Sequence, residues 1–173
     1  LYGADPTFVL ASATIGNPGE HARLLIDAPA GEITRSVAGR AARHVLLINP
    51  LDSAATTATL MLEAAVSRGL RTIVYCQSRK MTELITIWTG QRLKERQHLV
   101  ASYRSGFLPE ERRQIEARLA KGSLLGVIST SALELGIDIG HLDLCLLVGY
   151  PGSMMATWQR AGRVGRQQRE SLV

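Results

Sequence analysis

The chain has 173 residues, of which 46% are hydrophobic and 20% are charged. This length and composition are typical of one globular domain with a substantial core, and they exclude a disordered or fibrous chain. Lysine and arginine together number 20 against 15 aspartates and glutamates, so the formal net charge of +5 favours an anionic partner. No apolar run reaches the length of a membrane span, and we expect no membrane partner.

Short apolar runs alternate with helical patterns along the chain. Strands are predicted at residues 8–11, 45–48, 72–75, 99–102, 125–128 and 144–148, and helices at residues 53–68, 78–96 and 109–121. The strand candidates are continuously apolar, which is typical of strands buried on both faces of a parallel sheet. The alternation therefore predicts an α/β fold, in which helices cover both faces of a mainly parallel central sheet.

The two cysteines, Cys76 and Cys145, both lie in apolar runs, TIVYC and LDLCLLVG. Their spacing suits no metal site, and the histidines are scattered without a metal-like partner. Buried thiols without a disulfide are typical of a reducing compartment. The sequence therefore predicts a cytoplasmic protein without a metal site of its own.

Four unusual stretches follow predicted strands. They are SAT (residues 12–14), CQSR (76–79), STSALELGID (129–138) and the segment that leads to QRAGRVGR (159–166). In an open parallel sheet, ligands gather beyond the carboxyl ends of the strands. Arginine is a rigid fork of donors that suits phosphate, and glycine lets a bulky anion or another backbone approach closely. The pattern predicts a phosphate site, which would serve either a nucleotide or a nucleic-acid backbone, unless the arginines merely end a solvated helix.

In this order the stretches resemble the motifs of superfamily 2, or DExD/H-box, helicases. LASAT resembles motif III, TIVYCQSR motif IV, YRSGFLPEERRQIE the block after it, STSALELGIDIG motif V and QRAGRVGR motif VI. The resemblance covers nearly the whole chain. The phrases YRSGFLPEERR, ALELGIDIG and GYPGSMMATWQRAGR are most similar to the YprA (MrfA) type of bacterial DNA-repair helicase.

The resemblance implies a RecA-like three-layer sandwich and a division of the chain. Residues 1–30 would be the C-terminal tail of a first RecA-like domain, which carries motif III. Residues 31–44 would be a linker, and residues 45–173 a second RecA-like domain, incomplete at its C-terminus. We therefore expect a fragment of a longer protein.

The resemblance also implies roles for individual residues. The expected catalytic residues are Gln159, Arg163 and Arg166, with Arg166 as the arginine finger. The expected ATP-binding residues are Gly136, Asp138, Arg163 and Arg166. The expected nucleic-acid contacts are Gln77, Ser78, Arg79, Gly106 and Thr130. Ser12 and Thr14 would couple the nucleotide state to the grip on the strand.

Simpler interpretations stay open for several of these residues. Ser78 and Thr130 also suit helix caps, and the SAT stretch also suits a plain turn. Arg79 also suits a solvent-facing charge. Two aromatic residues near the motifs, Tyr103 and Trp158, are expected to be packed rather than to bind a ligand.

Two parts of an ATP site are missing from the chain, which contains neither a GxxxxGK[ST] loop nor a DExD/H sequence. In the superfamily these parts supply the phosphate cradle and the Mg²⁺ carboxylate from the first RecA-like domain. We therefore expect this fragment to be inactive as an ATPase alone. Its parent would use ATP with Mg²⁺, whose ligands lie in that first domain.

The sequence thus predicts part of an ATP-dependent helicase or translocase that acts on nucleic acid in DNA repair. Single-stranded DNA is favoured over RNA, and the first RecA-like domain of the same parent is the expected protein partner. The alternatives are a non-catalytic nucleic-acid-binding or partner-binding module and a DExH-type RNA helicase. An unrelated phosphate-binding α/β enzyme ranks last, because no convergent carboxylate pair is visible.

Overall fold

The structure is a computed structural model that describes residues 3, 6–12, 14–35, 41–133, 140–165 and 169–173. The chain divides into two compact units, residues 1–38 and residues 39–173. Helix α1 (Pro18–Ile26) belongs to the first unit and was not predicted. Pro18 sets the backbone of its first turn, and the Asn17 side chain donates a hydrogen bond to Glu20 at 2.7 Å. Among the described residues, no helix is long and apolar enough to cross a membrane.

The strand predicted at residues 8–11 does not form among the described residues. The described residues there belong to no sheet, and Phe8, Val9 and Leu10 are 55%, 87% and 51% exposed. A strand needs a neighbour for its backbone hydrogen bonds, and no described residue pairs with this run. An apolar run is therefore insufficient for a strand when nothing lies beside it.

The second unit contains a parallel sheet of six strands in its described part. These are β1 (Arg43–His44), β2 (Thr72–Cys76), β3 (Val100–Tyr103), β4 (Gly126–Ser129), β5 (Leu144–Val148) and β6 (Ser171–Leu172). Their order across the sheet is β1-β6-β5-β2-β4-β3, and every pairing is parallel. All five residues of β2 are buried at the centre of the sheet, which explains its continuous apolar run. The predicted parallel α/β architecture is confirmed.

The strand predicted at residues 45–48 forms earlier, at Arg43–His44. The ladder continues only to Leu46, whose N–H donates to the carbonyl of Val173 at 2.8 Å. Beyond that point Leu47 is 93% exposed. The pairing partner, β6, rather than the apolar sequence, therefore determines where this strand lies.

Four helices connect the strands of the second unit in its described part. They are α2 (Ala54–Ser67), α3 (Arg79–Leu93), α4 (Pro109–Ala120) and α5 (Met154–Ala161), with short 3-10 helices at Lys94–Leu99 and Ser131–Leu133. The three predicted helices are confirmed with small shifts at their ends. The second is shorter than predicted because Lys94 adopts a positive φ of 52°, which ends the α-helical ladder.

Two buried apolar clusters lie on opposite faces of the sheet. Val74 belongs to one cluster and its neighbour Tyr75 to the other, because successive strand residues point to opposite faces. The first cluster includes Leu62 of α2 and Ile85 of α3, and the second includes Leu119 of α4. Helices therefore cover both faces of the sheet, which confirms the predicted three layers.

Candidate functional site

The carboxyl ends of β2, β4 and β5 lie side by side, because these strands are adjacent and parallel. A cavity of about 300 Å³ opens at this edge of the sheet. Its described lining residues are Cys76, Gln77, Thr130, Ser131, Tyr150, Pro151, Gly152 and Arg160. The structure thus brings together two of the predicted nucleic-acid contacts, Gln77 after β2 and Thr130 after β4.

Gln77 is held in place by the loop that follows β5. Its side-chain Nε2 donates a hydrogen bond to the carbonyl of Tyr150 at 3.0 Å. The amide lies directly against Gly149, where an added Cβ would be 2.5 Å from the same nitrogen. Gly149 also has a φ of 89°, which disfavours other residues. A glycine at this position therefore allows the contact that orients Gln77.

Ser78 and Arg79 lie at the start of α3, close in sequence to Gln77. The Ser78 hydroxyl accepts a hydrogen bond from the N–H of Met81 at 3.2 Å, so the cap interpretation is correct. Both side chains are exposed. The N–H groups and dipole at a helix N-terminus also favour anions, so a cap at Ser78 is compatible with a nearby phosphate. Contact of these two residues with nucleic acid stays a prediction.

Gly106 lies apart from the cavity, in the turn after β3. An added Cβ there would meet nothing within 4 Å. Beside it, the Arg104 guanidinium stacks on the Phe107 ring at 4.9 Å and forms an ion pair with Glu83. Any contact of Gly106 with nucleic acid would therefore lie further along the sheet edge, beyond β4.

Tyr103 is packed, as predicted. It is buried at the end of β3, and its hydroxyl donates to the Glu116 carboxylate at 2.7 Å. Burial, together with Glu116, raises the pKa of Tyr103 to about 12. The ring is therefore not available to stack on a base.

Helix α5 carries Gln159 and Arg160 and continues into a turn that contains Arg163. Arg160 and Arg163 are only 9% and 7% exposed. The Arg160 guanidinium lies over the Tyr75 ring, with Cζ 5.3 Å from the ring centroid, and it also lines the cavity. Gln159 is half-buried. The described part of motif VI, residues 159–165, therefore packs against the core rather than ending as a solvated basic helix.

Two contacts fix the turn that contains Arg163. Arg43 donates a hydrogen bond from Nη2 to the carbonyl of Val164 at 3.2 Å. Gly165 has a φ of 72°, and an added Cβ would lie 2.5 Å from the Ser171 hydroxyl oxygen. One glycine of QRAGRVGR thus serves a close contact with another part of the chain.

Three predicted site residues, Gly136, Asp138 and Arg166, lie outside the described residues. Their roles stay predictions. Ser12 and Thr14 belong to the first unit, where the Ser12 hydroxyl oxygen accepts a hydrogen bond from the N–H of Thr14 at 3.4 Å. That contact matches the plain-turn interpretation, and the coupling role of this pair also stays a prediction.

Sequence reasoning missed Arg160, although this residue lies in the singled-out motif. It is the charged member of the described lining of the cavity. A buried guanidinium needs compensation, which an aromatic face can supply. The sequence of the motif shows that a further arginine is present, but it does not show which face of α5 this arginine occupies.

The prediction that Trp158 is packed was wrong, because this side chain is 46% exposed. The buried residues of α5 are Arg160 and Ala161, both at its C-terminal end. Met154 and Met155 in its first turn are exposed as well. Only the end of α5 therefore reaches the core, and described residues leave the rest of the helix uncovered.

Both cysteines are free and buried. Burial raises the pKa of Cys76 to about 11 and that of Cys145 to about 12, so both thiols are protonated at neutral pH. Cys76 at the cavity thus contributes apolar surface rather than a nucleophile. In the part of the chain that the structure describes, no group of three or more His, Cys, Asp or Glu side chains could hold a metal ion.

Comparison with protein families and their members gives concordant matches. The model of the helicase conserved C-terminal domain matches residues 54–168. The ATP-dependent helicase YprA of Bacillus subtilis is 38% identical over 184 residues, which cover 100% of this chain and 25% of YprA. The ATP-dependent helicase hrq1 of Schizosaccharomyces pombe is 35% identical over 185 residues, which cover 96% of this chain and 17% of hrq1. The chain thus spans a quarter or less of these relatives.

Solved structures show the same fold. The DUF1998 helicase MrfA bound to DNA and AMPPNP has a TM-score of 0.86 at 38% identity, over 99% of this chain and 25% of MrfA. The Mycobacterium smegmatis helicase Lhr bound to ssDNA and AMP-PNP has a TM-score of 0.74 at 30% identity, over 93% of this chain and 22% of Lhr. Saccharomyces cerevisiae Dbp5 bound to RNA and ADP BeF3 shares the fold at 18% identity, with a TM-score of 0.68 over 93% of this chain and 42% of Dbp5. The predicted RecA-like fold is confirmed.

Proposed function

We propose, from the premise that this chain belongs to the helicase conserved C-terminal domain family, that it is the second RecA-like domain of an ATP-dependent helicase or translocase. The predicted resemblance to superfamily 2 helicases of the YprA and MrfA type is confirmed by 38% identity to both. The observation that carries the proposal is the meeting of motifs IV, V and VI around one cavity at the carboxyl edge of the sheet.

The proposed domain boundaries keep residues 1–30 as the tail of a first RecA-like domain, 31–44 as a linker and 45–173 as the second domain. The division of the chain into units of residues 1–38 and 39–173 supports a boundary within the linker. The protein partner of this chain in the parent would then be the first RecA-like domain itself.

The cavity provides the chemistry of a backbone grip. Its described lining offers the Gln77 amide, the Thr130 and Ser131 hydroxyls and the Arg160 guanidinium, and it contains no carboxylate. Amides, hydroxyls and guanidinium groups are the side chains that contact phosphate and sugar without reading bases. We infer that Gln77 and Thr130, together with Ser78, Arg79 and Gly106 along the same edge, hold a strand without sequence preference.

ATP is the proposed substrate of the parent. Arg163 and Arg166 would stabilise the charge that develops on the γ-phosphate, and Gln159 would sense that phosphate. Gly136 and Asp138 would complete the nucleotide contacts from motif V. Ser12 and Thr14 would couple the nucleotide state to the grip. Mg²⁺ would be held by carboxylates of the first domain, because the DExD/H sequence that supplies them in the superfamily is not in this chain. On this proposal, the chain alone does not hydrolyse ATP.

The proposed nucleic acid is single-stranded DNA. MrfA and Lhr, at 38% and 30% identity, are bound to DNA in their solved structures, and Lhr specifically to ssDNA. The RNA-bound relative Dbp5 shares the fold at only 18% identity. We further propose that the parent acts in DNA repair and that it is located in the cytoplasm. The two free, buried thiols are compatible with such a reducing compartment.

ATP hydrolysis by the uncut parent tests this proposal. Turnover would be measured without nucleic acid, with single-stranded DNA and with single-stranded RNA, for the wild type and for Arg166→Ala. We expect stimulation by DNA and a loss of about 10³-fold or more for Arg166→Ala, which is the usual contribution of an arginine finger. The matched control is Arg113→Ala on α4, an exposed arginine that pairs only weakly with Glu110.

The second candidate function is a binding module without turnover. The sequence upstream of this chain in the parent discriminates between the two functions: a GxxxxGK[ST] loop there supports the helicase, and its absence there supports the binding module. It would be supported if the parent bound oligonucleotides but hydrolysed no ATP, or hydrolysed it equally with Arg166→Ala. Stimulation by RNA alone would instead favour a DExH-type RNA helicase.

A further inference from the structure

Tyr75 is a fully buried tyrosine in β2, the central strand of the sheet. It is paired with Ser129 of β4 on one side and with Leu147 of β5 on the other. Ser129 immediately precedes Thr130. Tyr75 therefore lies beside the end of β4, directly before the segment that contains Thr130.

The hydroxyl of Tyr75 has a specific partner in that segment. It donates a hydrogen bond to the carbonyl of Leu133 at 3.0 Å, and both residues are buried. Leu133 ends the 3-10 helix Ser131–Leu133, which begins directly after Thr130. A single short turn of this kind is held weakly by its own hydrogen bonds, so a bond from the sheet adds materially to its order.

Phenylalanine would fill the same space in the core. Burial of a hydroxyl is unfavourable unless the hydroxyl is hydrogen-bonded, so the apolar surroundings of Tyr75 give no reason for the extra oxygen. The hydrogen bond to the carbonyl of Leu133 explains why a tyrosine rather than a phenylalanine is present. The ring also carries the Arg160 contact, and a phenylalanine would retain that contact because it needs only the aromatic face.

We propose that the Tyr75 hydroxyl is a positioning group that fixes the turn after β4 and thereby holds Thr130 at the cavity. Tyr75 contacts no ligand in this proposal and acts through Thr130. The consequence for binding rests on the proposed function, because Thr130 must contact the nucleic acid. The effect on the turn does not depend on it.

The chain supplies a matched control in Tyr103. This second buried tyrosine also donates its hydroxyl to a protein acceptor, but that acceptor is Glu116 of α4, outside the turn Ser131–Leu133. Tyr75→Phe and Tyr103→Phe therefore each remove one buried hydroxyl and the hydrogen bond that this hydroxyl donates. Only Tyr75→Phe changes the turn that carries Thr130.

The experiment compares both variants with the wild type in the uncut parent. Amide hydrogen exchange in residues 131–133 would be measured first, in the absence of any ligand. One neutral hydrogen bond shifts a local equilibrium by about fivefold, so Tyr75→Phe should accelerate exchange there by about that factor, and Tyr103→Phe should not. Unchanged hydrogen exchange in Tyr75→Phe would overturn the proposal, whether or not the parent hydrolyses ATP or binds nucleic acid.

The functional readout is ATP hydrolysis titrated with single-stranded DNA. We expect Tyr75→Phe to raise the KM for DNA about fivefold, with a smaller change in kcat, because the lost order weakens binding. The same change in the Thr130→Ala background should be nearly silent, since Tyr75 acts through Thr130. Equal KM values for Tyr75→Phe and Tyr103→Phe would contradict the positioning role. A wild type that DNA does not stimulate would instead contradict the proposed function, and the exchange result would still decide the role of Tyr75 in the turn.

Discussion

Gly149 shows how one residue can govern the candidate site. Its φ of 89° is strained for any residue with a side chain, and an added Cβ would displace the Gln77 amide. We expect Gly149→Ala to lower the free energy of unfolding by about 1–3 kcal/mol, the usual cost of such backbone strain. Urea denaturation measures this loss.

The control for that variant is Gly106→Ala. This glycine has open space around the added methyl group and no left-handed φ, so its stability should stay close to that of the wild type. Equal losses of stability in the two variants would contradict the role assigned to the left-handed φ of Gly149 and to its close contact with Gln77.

The buried thiols predict a loss of stability at alkaline pH. The pKa of Cys76 is raised from 9.0 to about 11 and that of Cys145 from 9.0 to about 12, so the unfolded chain releases these protons first. This contribution is complete below pH 9 and is lost as the pH rises from about 9 toward 11 and 12. Denaturation of the wild type and of Cys145→Ala at pH 7, 9 and 10 should show a shallower decline in the variant. Parallel profiles would contradict it.

At the scale of the elements, the capped N-terminus of a helix allows the proposed function to be tested separately from stability. Ser53 and Ser78 both cap helices, through hydrogen bonds from Thr56 N–H at 3.0 Å and from Met81 N–H at 3.2 Å. Aspartate caps a helix about as well as serine, so Ser53→Asp and Ser78→Asp should both keep their stability. Only the second places a negative charge where a phosphate is proposed. We expect Ser78→Asp alone to weaken oligonucleotide binding by the parent, by about tenfold.

Fluorescence anisotropy with a labelled oligonucleotide measures that difference, and thermal unfolding confirms that both caps are retained. Equal affinities for the two variants would show that Ser78 is only a cap. A drop in affinity for both variants would indicate a general effect of net charge rather than a local contact.

At the scale of the whole molecule, a grip on phosphates predicts a strong dependence on salt. Each phosphate contact to a single strand contributes about 0.7 to the slope of log affinity against log salt concentration. We expect Arg79→Ala in the parent to reduce this slope by about 0.7, whereas the exposed Arg113→Ala should leave it unchanged. Binding titrations at several salt concentrations measure the slopes. An unchanged slope for Arg79→Ala would exclude that contact.

Much of the second unit was predictable from local patterns. Ser53, Ser78 and Pro109 marked helix starts that the structure confirms, and the apolar runs marked β2, β4 and β5 almost to the residue. These features depend on side-chain capping and on burial, which neighbouring residues in the sequence already encode. The convergence of Gln77 and Thr130 followed in turn from the parallel order of those strands.

Other features depended on groups distant in sequence, and local patterns were silent about them. Residues 8–11 and 45–48 have strand-like composition, yet a strand forms only where another strand pairs with its backbone. Among the described residues only the second run is partly paired, through Leu46. Trp158 is exposed although Arg160 beside it is buried, because only the end of α5 meets the core. The bond from Tyr75 to Leu133 joins residues 58 positions apart. Such pairings arise from packing in three dimensions, and no local period in the sequence specifies them.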